Sequence, residues 1–326
     1  MPALHRVDGL EVLVLLDNAT DNLSSIPDGV EHEREFLQLR GMTTLAGECL
    51  CCAAWGLSLL LTLRRGRETH TLLFDAGPDG SVFERNAQRL GCDFSGVEAV
   101  VLSHGHFDHA AGLEAAMRLV TAARGGAATP LYMHPGMFRR RGLRFPSGFV
   151  LPLKDVPSPD ALAQCGAEVV ESAEPALVAG DSAWLSGEIP RRSAYEQGLA
   201  NQVRQRPDGE WEPDPLVTDE RFLAVDVAGK GLVVFTACSH AGVVNVLTEA
   251  RARFPERPVY AVMGGLHLAG AAVEKIIPET VADLAGFGLS RIVPGHCTGW
   301  RATAALAQAF GDEVVVPSAV GRRYTF

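Results

Sequence analysis

The sequence predicts a layered α/β fold, and three observations support this. Short apolar runs rich in β-branched residues recur along the chain, as is typical of buried strands. Stretches of helical period separate several of these runs. The 326 residues are 47% hydrophobic and 21% charged, which suits a soluble protein with a sizeable core. Because no low-complexity linker divides the chain, we expect one domain over residues 1–326.

The elements can be predicted in chain order. The apolar runs predict strands at residues 10–16, 50–63, 69–74, 97–102, 131–135, 222–227, 232–236, 259–263 and 291–296. The helical patterns cover residues 81–90, 110–122, 243–254 and about 272–287. Residues 145–220 are irregular, proline-rich and interrupted by charges. We expect this segment to be an insertion that forms a lid or wall over a cleft.

The most informative stretch is the loop Ser103-His104-Gly105-His106-Phe107-Asp108-His109, which directly follows a predicted strand. In an extended segment, side chains two residues apart point to the same side, so His104 and His106 can bind one metal ion. Asp108 and His109 lie where the chain turns into a helix and can face a second ion. The alternative is a set of unrelated surface histidines with Asp108 as a helix cap.

Other polar residues also follow predicted strands. Asn18 lies in a polar loop after the first strand, and the alternative for this loop is a plain turn. His267 follows Gly264 and Gly265, which allow the backbone to approach a ligand closely, so it is a substrate-facing or metal-facing candidate. A histidine packed in the core is the alternative for His267.

The motifs taken together resemble those of the metallo-β-lactamase fold superfamily. Their order resembles one branch in particular, the 7,8-dihydropterin-6-yl-methyl-4-(β-D-ribofuranosyl)aminobenzene 5'-phosphate synthases. Besides the histidine loop, the matching motifs begin at Asp17, Leu73, Ser186, Thr236, Gly264 and Pro294. The resemblance implies a four-layer αββα sandwich. The pair Ala54-Trp55 departs from the acidic residue and histidine that are usual in the family.

The resemblance also implies roles for individual residues. His240 joins His104 and His106 around one ion, and His296 joins Asp108 and His109 around the other. Asp75 accepts a hydrogen bond that orients the metal loop. Many members carry a bridging Asp near the strand end where this chain has Cys238, which we place behind the ligands; a soft ligand, a nucleophile or a buried structural thiol are its alternatives. Substrate contacts are predicted for a set of polar side chains: Asn18, His134, Glu188, Arg191 and His267.

Composition and charge limit the partners. The net charge is -10, so a broad nucleic-acid-binding surface is not expected. No predicted apolar run is long enough to cross a bilayer, and the amino terminus lacks the pattern of a signal peptide. The seven cysteines are an odd number, which does not indicate a disulfide framework and favours a reducing compartment. We therefore expect a cytoplasmic protein, with a homodimer as the default assembly.

The sequence predicts a hydrolase that binds two divalent ions, zinc first, with manganese and iron as alternatives. A hydroxide bridging the ions would attack a small anionic phosphoester or ester, with Asp108 in the catalytic centre. One alternative is transfer chemistry on a ribosyl-phosphate or pterin-like substrate, as the branch implies. Others are a mononuclear iron oxygenase and a non-catalytic ligand-binding module.

Overall fold

The computed structural model describes residues 3–326, and its strands and helices are as follows. The strands are β1 (Arg6–Val7), β2 (Gly9–Leu16), β3 (Val30–Glu31), β4 (Ser58–Arg65), β5 (Glu68–Phe74), β6 (Val97–Val101), β7 (Thr129–Met133), β8 (Arg141–Arg144), β9 (Val150–Pro152), β10 (Ala167–Glu171), β11 (Ala176–Val178), β12 (Ala183–Leu185), β13 (Gln202–Gln205), β14 (Trp211–Pro213), β15 (Leu223–Val227), β16 (Gly231–Thr236), β17 (Val259–Gly265), β18 (Arg291–Gly295) and β19 (Arg323–Thr325). The α-helices are α1 (Glu33–Leu39), α2 (Gly80–Leu90), α3 (Phe107–Ala110), α4 (Leu113–Ala123), α5 (Pro159–Gln164), α6 (Val243–Arg253), α7 (Ile277–Ala285) and α8 (Trp300–Phe310).

Two large sheets form the centre of the molecule. The described strands of one run in the order β10-β7-β6-β5-β4-β2-β19-β3, and those of the other in the order β11-β12-β15-β16-β17-β18, with β1 beside β15. Side chains such as Leu61, Phe74, Val225 and Phe235 form a core between the sheets. A small third sheet has the order β14-β13-β8-β9.

Helices cover the outer faces of both large sheets. Phe83 of α2 and Met117 of α4 belong to a second core cluster on the first sheet. Leu247 of α6, Leu284 of α7 and Leu306 of α8 belong to a third cluster on the second sheet. The order of layers is therefore helix, sheet, sheet, helix, and the predicted four-layer sandwich is confirmed.

Parallel strands bring the polar loops to one edge of the sandwich. Strands β5, β6 and β7 are parallel neighbours in the first sheet, and β16, β17 and β18 are parallel neighbours in the second. Because the carboxyl ends of parallel strands lie at the same edge of a sheet, the loops that follow them can meet.

The prediction of a strand over residues 50–63 is wrong in its first half, because β4 begins at Ser58. The preceding backbone is held by buried side chains instead of strand partners. The N–H of Cys51 donates to Glu33, and that of Cys52 donates to Asn86 at 2.8 Å. An apolar run cannot reveal that its hydrogen bonds go to distant side chains.

The segment 145–220 is more regular than its sequence indicates. Strand β10 joins the first large sheet, β11 and β12 join the second, and β9, β13 and β14 belong to the small sheet. These strands contain only three to five residues each, which is too short for a clear periodic pattern. Within residues 3–326, no helix has the length and apolar character needed to cross a membrane.

Candidate metal centre

The histidine loop changes conformation in its middle. Strand β6 ends at Val101, and His106 has the extended backbone of a helix N-cap before α3. His104 therefore precedes the helix in irregular backbone, whereas Asp108 and His109 lie on its first turn. The loop presents its ligand-type side chains from two kinds of backbone, which directs them to neighbouring but separate places.

Three imidazoles form the first group. Nε2 of His104 lies 3.0 Å from Nδ1 of His106 and 3.2 Å from Nε2 of His240. The opposite nitrogen of His104, Nδ1, lies 2.9 Å from Oγ of Ser103, whose hydroxyl donates to Asp75. Since that hydroxyl proton is already used, Nδ1 carries the ring proton, and Nε2 of His104 presents a free lone pair to the group.

Gln202 of β13 fixes the orientation of His106. Its Oε1 lies 2.5 Å from Nε2 of His106, and its Nε2 donates to the carbonyl of Asp214 at 3.2 Å. Because the amide oxygen can only accept, His106 donates through Nε2, and its unprotonated Nδ1 faces His104. Two lone pairs then face each other at 3.0 Å with no proton between them, an arrangement that a cation would satisfy.

The second group consists of Asp108, His109 and His296. Oδ2 of Asp108 lies 3.3 Å from Nε2 of His296 and 3.8 Å from Nε2 of His109. Nδ1 of His109 lies 2.7 Å from Asp75, and Nδ1 of His296 lies 3.0 Å from Oδ1 of Asn18. Both imidazoles are therefore held through Nδ1, which leaves each Nε2 to face the group, as outer partners of metal-binding histidines do.

The pKa values of these side chains favour the protonation states that metal ligands need. Burial, followed by the neighbouring imidazoles, places the pKa of His104 and of His240 well below the usual value. Burial also lowers the pKa of His106 to about 4. Burial opposes ionisation of Asp108, but the adjacent His109 and His296 outweigh it and lower the pKa of this carboxyl. Neutral imidazoles and an ionised carboxylate are the forms that bind metal.

His109 titrates in the opposite direction. Burial lowers its pKa, but the carboxylates of Asp108 and Asp75 outweigh burial and raise the pKa to about 9. A cation beside Nε2 of His109 would replace the second proton as the partner of these carboxylates. The two groups thus offer six nitrogen and oxygen donors, a set that fits one divalent ion in each.

Strained backbone aims several of these side chains. Seven described residues other than glycine have positive φ, and four of them lie at the candidate metal centre: Asp75, Ser239, His267 and His296. Their φ values run from 45° to 61°. Such conformations cost free energy and persist where the surrounding structure enforces them, which is common at functional sites.

Two cysteines lie behind the histidines. Sγ of Cys238 is 3.3 Å from Nε2 of His109, and Sγ of Cys297 is 3.5 Å from the carbonyl oxygen of Cys238. Cys238 could share a metal ion with His104 and His240, with His109 and His296, or with His267 and Cys297, because within each trio the ligand atoms lie within 4.8 Å of one another. Burial raises the pKa of the Cys238 thiol well above its usual value.

The predicted substrate residues make different kinds of contact in the structure. The guanidinium of Arg191 donates to the carbonyls of His240, at 2.8 Å, and Leu216, so it braces the loop that carries His240. His134 accepts from the N–H of Gly136 and lies 3.4 Å from the exposed Glu188. Both polar atoms of the Asn18 side-chain amide contact His296, because Nδ2 donates to its carbonyl oxygen at 3.0 Å and Oδ1 lies 3.0 Å from its Nδ1.

His267 is the predicted substrate residue that lines the large cavity beside the metal centre. The cavity has a volume of about 920 Å³, and His240 also lines it. Residues 195–203 and Pro213 of β14 line one side, and residues 266–268, 272–273 and 275–276 line another. Phe145, Leu199 and Ile276 give it apolar surface, with the cationic side chains of Arg144 and Lys275 also in its lining.

Sequence reasoning missed a layer of buried side chains behind the loop. Asp219 accepts from the N–H of Gly105 at 2.8 Å, and Arg141 donates to Asp219 and, at 3.1 Å, to the carbonyl of Gly105. Glu220 accepts from the N–H of His240 at 2.7 Å. These residues lie 20 to 114 positions from their partners, and no local motif marks them. Their signal was the placement of charged residues next to the apolar strand β15.

Comparison with known proteins agrees with this architecture. Residues 57–253 match the family model of the metallo-beta-lactamase superfamily. The chain is 27% identical over 259 residues to the 7,8-dihydropterin-6-methyl-4-(beta-D-ribofuranosyl)-aminobenzene-5'-phosphate synthase of Methanocaldococcus jannaschii, which covers 79% of this chain and 85% of the relative. The predicted resemblance, made from motifs, is thereby confirmed.

Solved structures show the same fold. A metal-dependent hydrolase of the beta-lactamase superfamily superposes with a TM-score of 0.70 at 22% identity, covering 96% of this chain and 98% of the other. Unliganded yeast PDE1 superposes with a TM-score of 0.55 at 10% identity, covering 99% of this chain and 100% of the other. At these identities the likeness concerns the fold.

Proposed function

Because the chain belongs to the metallo-beta-lactamase superfamily, we propose that it is a hydrolase that uses two divalent metal ions to cleave a small anionic phosphoester or ester. The observation that carries this proposal is the convergence of two adjacent groups of free ligand atoms at one edge of the sandwich. In each group, two of the three side chains have their outer nitrogen held by another residue: His104 and His106 in the first, His109 and His296 in the second.

One ion would be held by His104, His106 and His240, and the other by Asp108, His109 and His296. Zinc fits these imidazole and carboxylate donors, and manganese and iron accept them too. A pair of divalent ions supplies Lewis acidity and lowers the pKa of water from about 16 to about 7, which provides a nucleophile at neutral pH.

The chain's own residues position the reactants. The lowered pKa of Asp108 keeps its carboxylate ionised at neutral pH, so this residue would hold an ion and orient the attacking water by accepting a hydrogen bond from it. Asp75 keeps the ligand loop in place through Ser103 and His109. His267 lines the cavity beside His240, with their ring centroids 4.4 Å apart. It is therefore placed to contact a substrate that reaches the ions.

The lining and the size of the cavity favour an anionic substrate. Arg144 and Lys275 are the cationic side chains in the described lining of the cavity, Glu196 is the acidic one, and apolar residues contribute most of the rest. A volume of about 920 Å³ would hold a ligand considerably larger than a simple phosphoester. We therefore expect a substrate with an apolar or aromatic portion and at least one negative charge.

The test is metal analysis combined with an activity panel. Purified protein should contain about two ions per chain, and it should hydrolyse bis(p-nitrophenyl)phosphate or a member of a simple ester series. His106→Ala should lose metal and activity together. His5→Ala, which changes an exposed histidine, serves as the matched control and should retain both. A protein that binds two ions but is inactive on every phosphoester and ester would contradict the proposal.

A second candidate is transfer chemistry on a ribosyl phosphate or a pterin-like compound. The 27% identity to a synthase, over 79% of this chain, favours this candidate, and the size of the cavity is compatible with such a substrate. Product analysis separates the two functions. Formation of a new bond between two substrates, with no hydrolysis in the absence of the second substrate, would favour the transferase.

A further inference from the structure

We propose that Trp55 binds a planar aromatic group of the substrate, on the side of the metal centre where His296 lies. The proposal rests on the hydrolase function proposed above, and it names the class of group that the substrate carries at this end. The ring centroids of Trp55 and His296 are 5.3 Å apart, and 56% of the surface of Trp55 is exposed. A large apolar ring is therefore open to solvent directly beside a proposed metal ligand.

The backbone on both sides of Trp55 is held in place. The N–H of Ala54 donates to the carbonyl of Asp17 at 3.0 Å, and the N–H of Gly56 donates to Oδ1 of Asn18 at 3.1 Å. Single exposed apolar side chains are common on protein surfaces. Trp55 differs from an ordinary surface residue because its two neighbours are tied to the loop that follows β2.

The same contacts set the position of Trp55 relative to the second group of ligands. Gly56 packs so closely on the histidine loop that an added Cβ would lie 2.2 Å from the carbonyl oxygen of Asp108. Oδ1 of Asn18, which accepts from Gly56, also lies 3.0 Å from Nδ1 of His296. The segment that carries Trp55 is thus fixed against two of the proposed ligands.

The indole ring keeps free surface for a further partner. Its plane is tilted by 59° from that of the His296 imidazole, so the two rings are not stacked. The side chain of His296 has no exposed surface, which makes Trp55 the exposed member of the pair. Aromatic rings bind other planar groups through offset-stacked or edge-to-face contacts. A planar group on a substrate at the second ion position would find such a partner in Trp55.

Trp55 and the large cavity would contact different parts of a substrate. His240 and His267 belong to the described lining of the cavity, whereas Trp55 and His296 lie outside it. A substrate whose reacting atom lies at the ions would place one substituent in the cavity and another against Trp55. This arrangement favours phosphodiesters and carboxylic esters over phosphomonoesters, because they carry an organic group on each side of the reacting atom.

The test compares the binding of two probes to zinc-loaded protein by titration calorimetry. Diphenylphosphinate carries a planar ring on each side of phosphorus, dimethylphosphinate carries none, and the carbon–phosphorus bonds of both resist hydrolysis. Wild-type protein should bind diphenylphosphinate more tightly than dimethylphosphinate. Trp55→Ala should weaken the binding of diphenylphosphinate about three- to tenfold, the range expected for one aromatic contact, and that of dimethylphosphinate less than about twofold.

Two further variants control this comparison. Trp55→Phe keeps an aromatic ring and should retain the preference of the wild type for diphenylphosphinate. Trp300→Ala removes a tryptophan that is 71% exposed and whose ring lies 4.5 Å from the guanidinium of Arg301. This variant should bind both probes as the wild type does. An equal effect of Trp300→Ala and Trp55→Ala on diphenylphosphinate would overturn the assignment to Trp55.

A role of Trp55 in merely supporting or shielding His296 gives a different result. In that case Trp55→Ala would weaken the binding of both probes by the same factor, and the inference would be overturned. Failure of wild-type protein to bind diphenylphosphinate would overturn it too. If the inference holds, KM for bis(p-nitrophenyl)phosphate should rise in Trp55→Ala by about the same three- to tenfold, with little change in kcat.

The outcomes separate this inference from the proposed function. A selective loss of diphenylphosphinate binding in Trp55→Ala, in a protein that hydrolyses nothing on the panel, would support the role of Trp55 and contradict the hydrolase. Hydrolysis on the panel, together with equal losses for the two probes, would do the reverse.

Discussion

Oδ2 of Asp75 lies 2.7 Å from Nδ1 of His109, and neither side chain is exposed to solvent. The same oxygen accepts the hydroxyl of Ser103 at 2.8 Å, and that hydroxyl in turn lies against Nδ1 of His104. One carboxylate therefore orients a ligand of each proposed ion.

Replacing Asp75 should weaken both ion sites together. In Asp75→Asn the oxygen that receives both hydrogen bonds loses its charge, so we expect metal affinity to fall about 10–100-fold. Competition with a chelator, together with the number of ions retained, measures the effect. Asp155→Asn, which alters an exposed aspartate, is the control. Loss of one ion with undisturbed binding of the other would contradict the shared role.

Gln202 offers a second test of the outer hydrogen bonds. Gln202→Ala removes the acceptor for Nε2 of His106 and should lower metal affinity about tenfold. Gln205→Ala is the matched control, because it changes the same residue type on the same strand at a site away from the histidines. Equal affinities in the two variants would show that the contact between Gln202 and His106 does not orient a ligand.

The charges in the cavity lining should affect substrate binding. For an anionic substrate, Arg144→Ala or Lys275→Ala should raise KM about two- to fivefold with little change in kcat, as expected for partly solvated charges. The effect should shrink as salt is added. Lys154→Ala changes an exposed lysine outside the described cavity lining and is the control. An unchanged KM in both cavity variants would mean that substrate charge is recognised elsewhere.

The buried Glu196 predicts a pH dependence of stability. Burial raises its pKa to about 7, although the N–H groups of Val244 and Asn245 and the charge of Arg191 oppose this. Between about pH 4.5, where the unfolded chain loses the proton, and about pH 7, the folded state retains it. The contribution of Glu196 to the free energy of unfolding is therefore fully present below this interval and is lost as pH rises through it.

Glu196→Gln should remove this contribution to the pH dependence. We expect the free energy of unfolding of metal-free protein to fall between about pH 5 and about pH 8 by on the order of 1–3 kcal/mol less in the variant than in the wild type. Urea unfolding at the two pH values measures the difference, with the exposed Glu210→Gln as control. Parallel pH profiles of wild type and Glu196→Gln would contradict the prediction.

The sequence revealed the parts of the centre that lie next to recognisable strands. His104, His106, Asp108 and His109 follow β6 as one local motif, and the structure brings them together with His240 and His296. Their metal binding stays a prediction. The contact of Gln202 with His106 could not be foreseen, because Gln202 lies on a four-residue strand, 96 positions from that histidine. Neither the periodicity of the sequence nor the local spacing of residues indicates such a contact.

The contacts of Arg191 and Asn18 illustrate a second limit of prediction from sequence. Residue type indicated that both could bind a substrate, and that remains a prediction. Yet their hydrogen-bonding groups are directed at His240 and His296, respectively. Side-chain chemistry indicates what a residue can bind, whereas the choice between a ligand and a neighbouring backbone group depends on the distances set by the fold.

The buried pair of Arg141 and Asp219 links two parts of the protein that differ in purpose. Arg141 belongs to the small sheet that contributes to one cavity wall. Asp219 and Arg141 form hydrogen bonds with the N–H and the carbonyl of Gly105, which lies between two of the proposed ligands. Separating the sheet from the loop would leave a charge stranded in the interior, at a cost of about 3–5 kcal/mol. We therefore expect this cavity wall to stay rigid. Its shape would then select which molecules can enter the cavity and reach the ions.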